Sequence, residues 1–203
     1  MTEEQMREVQ LSRKEIYKGR VVHLFEDQVR LPDGQEARRE VIRHPGGVGI
    51  LPLMEDGTVF VVRQFRYPQG KVLTEIPAGK LEYGEDPLSC GKRELKEEIG
   101  AAAEEWVDLG KIYPTPAYDT EIIHIYLAKG LSFGEQHLDP GEFLNVERVP
   151  LLTLYEQVMA GEILDAKTQI AVLKVKAMLE NKPFRRFSAE FCFCSTECWF
   201  RCP

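Results

Sequence analysis

Apolar and polar positions along the chain follow two periods, and these predict its elements. Residues 21–31 (VVHLFEDQVRL) partly alternate, Pro32-Asp33-Gly34 supplies a turn, and residues 36–44 alternate again, which predicts a β-hairpin. Residues 1–14 before it are polar and are expected to be extended or frayed. After the break at Gly46-Gly47, residues 48–53 and 58–65 flank Asp56-Gly57 and predict a second hairpin. Their continuous apolar character predicts burial on both faces. Further strands are expected over residues 72–76, 106–113, 122–128 and 144–149, and helices over residues 151–160 and 165–179. No repeat or low-complexity linker interrupts them.

The stretch from Gly79 to Ala101 (GKLEYGEDPLSCGKRELKEEIGA) adds chemistry to this pattern. Asp86 is a good N-cap, Pro87 a good first helical residue, and Gly100 fits a left-handed C-terminal position. Leu88, Leu95 and Ile99 recur at helical spacing, so a helix is predicted over residues 87–99. Glu82, Glu85, Glu94, Glu97, Glu98 and Arg93 surround it, with Glu94, Glu97 and Glu98 on one face. Like charges at this spacing repel by about 0.2–0.5 kcal/mol per pair on an exposed helix. A divalent cation would reverse that sign, since magnesium takes hard oxygen ligands. The alternative is a solvated acidic face relieved by Lys92, Arg93 and Lys96.

The whole spacing is G-x5-E-x7-R-E-L-x-E-E-x-G, from Gly79 through Glu85, Arg93-Glu94-Leu95 and Glu97-Glu98 to Gly100. It resembles the Nudix box of the Nudix hydrolase family, with Ala101 where the family usually has a larger aliphatic residue. The resemblance implies an α/β/α sandwich with a mixed sheet, preceded by an N-terminal β-hairpin subdomain. Helices covering a sheet are also what the interspersed strands and helices suggest. It further implies cleavage of a nucleoside diphosphate linked to another group, with Mg²⁺, or Mn²⁺ as a substitute. The metal ligands it implies are the Ala78 carbonyl, Glu94, Glu97 and Glu98. The catalytic set that the resemblance implies is Glu97, Glu98, Arg93 and Glu142, with Glu142 as candidate base.

Pro116, sixteen residues past Gly100, stands where the family's ADP-ribose pyrophosphatases carry a proline. An ordinary turn proline is the alternative. The runs Arg38-Arg39-Glu40, Arg63-Gln64-Phe65-Arg66, Glu75-Ile76-Pro77-Ala78-Gly79 and Asp165-Ala166-Lys167-Thr168 also resemble the bacterial members of that subgroup. Substrate contacts implied in this way are Arg39, Glu40, Arg66, Thr115, Pro116 and Glu121. Arginine suits both base stacking and phosphate binding, although Arg39 and Arg66 have nearby glutamates as alternative partners. A dimer that exchanges its N-terminal subdomains is implied by resemblance alone. ADP-ribose is the expected substrate. Another nucleoside-diphosphate sugar, or a catalytically inert nucleotide-binding module, is the alternative.

Composition narrows the remaining classes. With 26 Lys and Arg against 33 Asp and Glu the formal charge is −7, which argues against nucleic acid as partner. No apolar run reaches the roughly 18 residues of a membrane span, and residues 1–10 lack the apolar stretch of a secretory signal, so a cytoplasmic protein is expected. The expected division is an N-terminal β subdomain over 1–45, a Nudix domain over 46–182, and a cysteine-rich tail over 183–203. Cys192, Cys194, Cys198 and Cys202 lack the paired spacing of common zinc modules, so the tail is expected to be disordered, with a zinc site as the alternative.

Overall fold

The computed structural model describes residues 1–180; the cysteine-rich tail lies outside them. Three antiparallel strands come first: β1 (Val9–Lys18), β2 (His23–Arg30) and β3 (Glu36–Ile42), in the order β1-β2-β3. The expected hairpin is β2–β3. Of the two expectations for the start, extended or frayed, β1 shows the extended one from Val9 onward. It is exposed at every position and its register shifts twice, between Gln10 and Ser12 and between Glu15 and Tyr17. Bulges of this kind break the two-residue period by which a strand is recognised. β1 is held by pairing with β2 and by the Arg13 guanidinium, which forks onto Asp27 at 2.7 Å through both Nε and Nη2.

The core contains β4 (Gly47–Pro52), β5 (Thr58–Arg66), β6 (Lys71–Glu75), β7 (Ala78–Lys80), β8 (Ala101–Ile112), β9 (Ile123–Phe133) and β10 (Leu144–Pro150). Three helices accompany them: α1 (Pro87–Ile99), α2 (Leu151–Met159) and α3 (Ala166–Leu179). A four-stranded mixed sheet runs β7-β4-β9-β8, with β4 and β9 parallel; a three-stranded sheet runs β10-β5-β6. The expected second hairpin is thereby corrected. Just past β4 the bridge Leu53–Val59 and the Met54 N–H, which donates to the Thr58 carbonyl at 2.8 Å, make a tight turn, but β4 and β5 enter different sheets. β4 is buried at every residue and pairs with β7 on one edge and β9 on the other, so no edge remains for β5.

Alternation along β4 divides the core. Val48 and Ile50 join Cys90, Leu95 and Ile99 of α1, whereas Leu51 and Leu53 join Leu154 of α2 and Ala171, Val172 and Val175 of α3. Helices therefore cover both faces of the mixed sheet, giving the α/β/α sandwich. β8 begins at Ala101, earlier than expected, because β9 continues to Phe133 and pairs with it there.

Candidate functional site

The site begins with the placement of α1. The Asp86 carboxylate accepts from the Ser89 N–H at 2.9 Å, and Gly100 closes the helix at φ +65°. These caps match the sequence expectation, as does the helix span. The short strand β7, which periodicity did not predict, runs beside α1 and brings Ala78–Lys80 against its acidic face.

Arg93 is the hub of that face. Its Nε lies 3.2 Å from Glu85, and its Nη1 lies 2.8 Å from Glu94 and 2.9 Å from Glu97. Burial opposes the guanidinium charge, but Glu85 and Glu94 hold it protonated. One cation thus gathers three carboxylates and relieves their repulsion. The Glu94 carboxylate packs onto Gly79 so closely that a Cβ there would meet its carboxyl carbon at 1.8 Å. Glycine at this position is a steric requirement of Glu94.

Glu98 does not belong to a solvated face. It is 2% exposed and accepts from the Ala78 N–H at 2.9 Å. Burial pushes its carboxyl up to about 8, the Ala78 N–H opposes this, and repulsion from Glu142 and Glu94 adds to it. Burial also raises Glu94, against the pull of Arg93. Burial pushes the Cys90 thiol of α1 up to about 12, so it stays protonated beside the Lys80 carbonyl.

Two cavities share Ala78, Gly79 and Lys80 as a common wall. The larger, about 620 Å³, is lined by Arg20, Tyr83, Arg93, Glu94, Asp139 and Glu142. The smaller, about 280 Å³, is lined by His44, Arg66, Glu121 and Lys167. The structure therefore brings together Ala78, Arg93, Glu94, Glu97, Glu98 and Glu142, with Arg66 and Glu121 next door. Arg39, Glu40, Thr115 and Pro116 are not among the described residues that line either cavity. Arg39 forks onto Glu8 at 2.9 and 2.6 Å, and Glu40 stands opposite Glu26 in the N-terminal sheet. The loop holding Thr115 and Pro116 docks on the end of β3, where Ile42 N–H donates to the Tyr118 carbonyl at 2.7 Å.

Lys167 is the residue that sequence reasoning assigned no role. It sits at the buried start of α3, 9% exposed, bonded to Glu75 and, at 2.8 Å, to Asp165. Its signal was a lysine two residues behind the capping aspartate, on the side of a helix that must face the sheet. Arg66 does pair with a glutamate: its Nε and Nη2 fork onto Glu75 at 2.6 and 2.7 Å. Burial alone would raise Glu75, but the bonds from Arg66 and Lys167 hold it at about 2.

The donors around Ala78–Gly79 suit a hard divalent cation: glutamate oxygens brought together at an electrostatic cost, with a glycine where any side chain would displace one of them. Among the described residues no three such side chains already stand at coordinating distance from a common point, and Arg93 occupies one oxygen each of Glu94 and Glu97. A cation would take over the charge balance that Arg93 now supplies.

Residues 43–168 match the NUDIX domain, and residues 8–42 match the nucleoside diphosphate sugar hydrolase N-terminal domain. The chain is 37% identical over 179 residues to an ADP-ribose pyrophosphatase of Bacillus subtilis (strain 168), spanning 86% of this chain and 97% of that protein. It is 41% identical over 173 residues to a methanol dehydrogenase activator of Bacillus methanolicus, spanning 83% and 94%. It is 33% identical over 172 residues to an ADP-ribose pyrophosphatase of Mycobacterium tuberculosis (strain ATCC 25618 / H37Rv), spanning 83% of each. A crystal structure of an ADP compounds hydrolase superposes with a TM-score of 0.76 over 87% of this chain and 96% of that one, at 20% identity, a likeness of fold. Glu85, the Arg93 hub and the Glu94–Glu98 face on Gly79 thus stand within a matched domain covering more than half of the chain, which belongs to the Nudix family.

Proposed function

We propose that the protein hydrolyses ADP-ribose to AMP and ribose 5-phosphate with the help of Mg²⁺, for which Mn²⁺ can substitute. The observation that carries this reading is the pair of cavities meeting at Ala78–Lys80, directly over the acidic face of α1. Such a shape suits two groups joined by a diphosphate, with the scissile bond at the common wall. Relatives named ADP-ribose pyrophosphatase support the choice of substrate.

In this reading Glu94, Glu97, Glu98 and the Ala78 carbonyl hold the metal, which when bound offsets phosphate charge and acidifies water. Arg93 keeps the glutamates in place, and Glu85 steadies Arg93. Glu142, on the loop lining the larger cavity, accepts the proton of the attacking water. Arg66 and Glu121 receive the substrate in the smaller cavity. Arg39, Glu40, Thr115 and Pro116 are not among the residues that line these two cavities. That placement is consistent with a cytoplasmic homodimer in which Arg39 and Glu40 reach a second copy's site. The outward apolar residues Val9, Leu11, Ile16 and Tyr17 of β1 favour such pairing. No helix among the described residues is long and apolar enough to cross a membrane.

A substrate panel containing ADP-ribose and GDP-mannose, with products identified and a chelator control, tests the reading. Release of AMP and ribose 5-phosphate, abolished by chelation, is expected. Preference for GDP-mannose would move the assignment to that sugar nucleotide, the substrate in the names of relatives 31–32% identical over 64% of this chain. The likeness to a methanol dehydrogenase activator favours a second reading, in which the chain raises the activity of a dehydrogenase. Dehydrogenase rates with and without the chain test that one.

A further inference from the structure

Residues 44–47, between β3 and β4, run against the segment that delivers Glu121 to the smaller cavity. The His44 N–H donates to the Thr120 hydroxyl oxygen at 2.9 Å, and that hydroxyl donates back to the His44 carbonyl at 3.3 Å. The Thr120 N–H donates to the Ile42 carbonyl at 3.0 Å, and the Gly47 N–H to the Ile122 carbonyl at 2.9 Å. The approach is close enough to require glycine: Gly46 lies at φ +105°, and a Cβ on it would meet the Ile122 carbonyl oxygen at 2.9 Å. All of these bonds use the backbone of residues 42–47, so none of them depends on which side chain stands at position 44.

The imidazole of His44 therefore has a task separate from holding the two segments together. Its Nδ1 accepts from the Gly46 N–H at 3.1 Å and lies 3.6 Å from Glu121 Oε1. Both side chains line the smaller cavity, the ring 14% and the carboxylate 25% exposed. Burial pushes the Glu121 carboxyl up; His44 opposes this, Asp119 adds to it and Lys167 opposes it. Protonated, the ring faces the carboxylate with a full charge; neutral, it keeps Nδ1 on the Gly46 N–H and still stands beside Oε1. The Glu121 backbone is fixed as well, its N–H donating to the Asp119 carboxylate at 2.8 Å. With Oε1 held on this side, Oε2 has no partner among the described residues. A carboxylate oxygen held in this way is an acceptor for neutral O–H donors, of which the hydroxyl groups of a sugar are the kind the proposed substrate carries.

We propose that His44 is a positioning residue: its imidazole holds the Glu121 carboxylate at the wall of the smaller cavity, where Glu121 accepts from the sugar hydroxyl groups of the substrate. The role given to Glu121 rests on the nucleotide-sugar reading above; the link from His44 to Glu121 rests on the geometry alone. A carboxylate positioned before binding spares the substrate the cost of ordering it.

A double-mutant cycle on the full chain at saturating Mg²⁺ tests the link, with His44→Ala, Glu121→Gln and the two combined. His44→Ala leaves every backbone bond of the clip in place and removes only the ring. Each single variant should raise KM for ADP-ribose by about tenfold with kcat within about twofold of the wild type. The combined variant should be no worse than Glu121→Gln alone, within about twofold. His44→Gln, which offers both an acceptor and a donor, should recover most of the loss. Independent effects, giving a rise of about a hundredfold in the combined variant, would mean that His44 acts without Glu121 and overturn the proposal. An unchanged KM in either single variant overturns it too. Should His44→Ala not fold, ¹⁵N spectra of the His44 ring decide, taken at one pH in the wild type and in Glu121→Gln. A displaced Nδ1 signal supports the link, and an unmoved one overturns it. If the wild type does not turn over ADP-ribose, the reaction proposed above is refuted. The same cycle read on binding of ribose 5-phosphate by calorimetry then decides the role of His44.

Discussion

Glu98 allows a quantitative test of the site without any substrate. Its carboxyl lies up at about 8 in the folded, metal-free protein, against an ordinary value of 4.5. A raised folded value means that the folded state holds the proton longer than the unfolded chain. The stabilisation is therefore fully present below 4.5 and is lost as pH rises through about 8. Each pH unit in that window costs about 1.36 kcal/mol. Between about pH 6 and about pH 9, the wild type should lose about 2–3 kcal/mol that Glu98→Gln does not lose. Glutamine keeps the size of the side chain and can still accept from Ala78 N–H, while every other titrating group is common to both proteins. The assay is urea unfolding at both pH values with a chelator present. If the stability difference between the two proteins stays flat within about 0.5 kcal/mol across this range, the buried, repelled carboxylate described above is wrong.

At saturating Mg²⁺, Glu98→Gln should lower ADP-ribose turnover by orders of magnitude; near-normal steady-state rates would remove Glu98 from the working site. Gly79→Ala should displace Glu94, because the new Cβ falls 1.8 Å from its carboxyl carbon, and Mg²⁺ titrations of activity should show weaker metal dependence or lost turnover. Asp86→Ala removes the cap of α1 and should cost about 1 kcal/mol in urea unfolding, with KM for substrate little changed. Light scattering should give the mass of a dimer, and disruption of β1 by Ile16→Asp should shift it toward the monomer.

What the sequence disclosed was local. Asp86, Pro87 and Gly100 act on their own helix, so the span of α1 could be read from them alone. The same is true of Asp165 at the head of α3. Strand partners were not local. Nothing within residues 48–65 says that β9, far along the chain, takes the edge of β4 and sends β5 to another sheet. The inward turn of Glu98 was hidden for a similar reason. Helical spacing puts it beside Glu94, but only β7 running over α1 decides which of the two is sealed from water. Lys167 and Glu75 meet across the fold, and neither residue announces the other. β1 was hidden by its own bulges and by the absence of a buried face.

The pairing of β4 with β9 also bears on how the protein reaches this state. Residues 47 and 123 are the first partners of a parallel ladder, and the whole of α1 with its glutamates lies in the loop between them. Closing so long a loop carries an entropic cost before any of its contacts can form. Chains dominated by such distant pairings fold slowly. α1 has its own caps and can form early, but its acidic face has no floor until β4, β7 and β9 assemble. Catalytic competence should therefore emerge with the last cooperative step of refolding, after helical content has largely recovered. A newly made chain would spend that interval with its carboxylates gathered by nothing but Arg93.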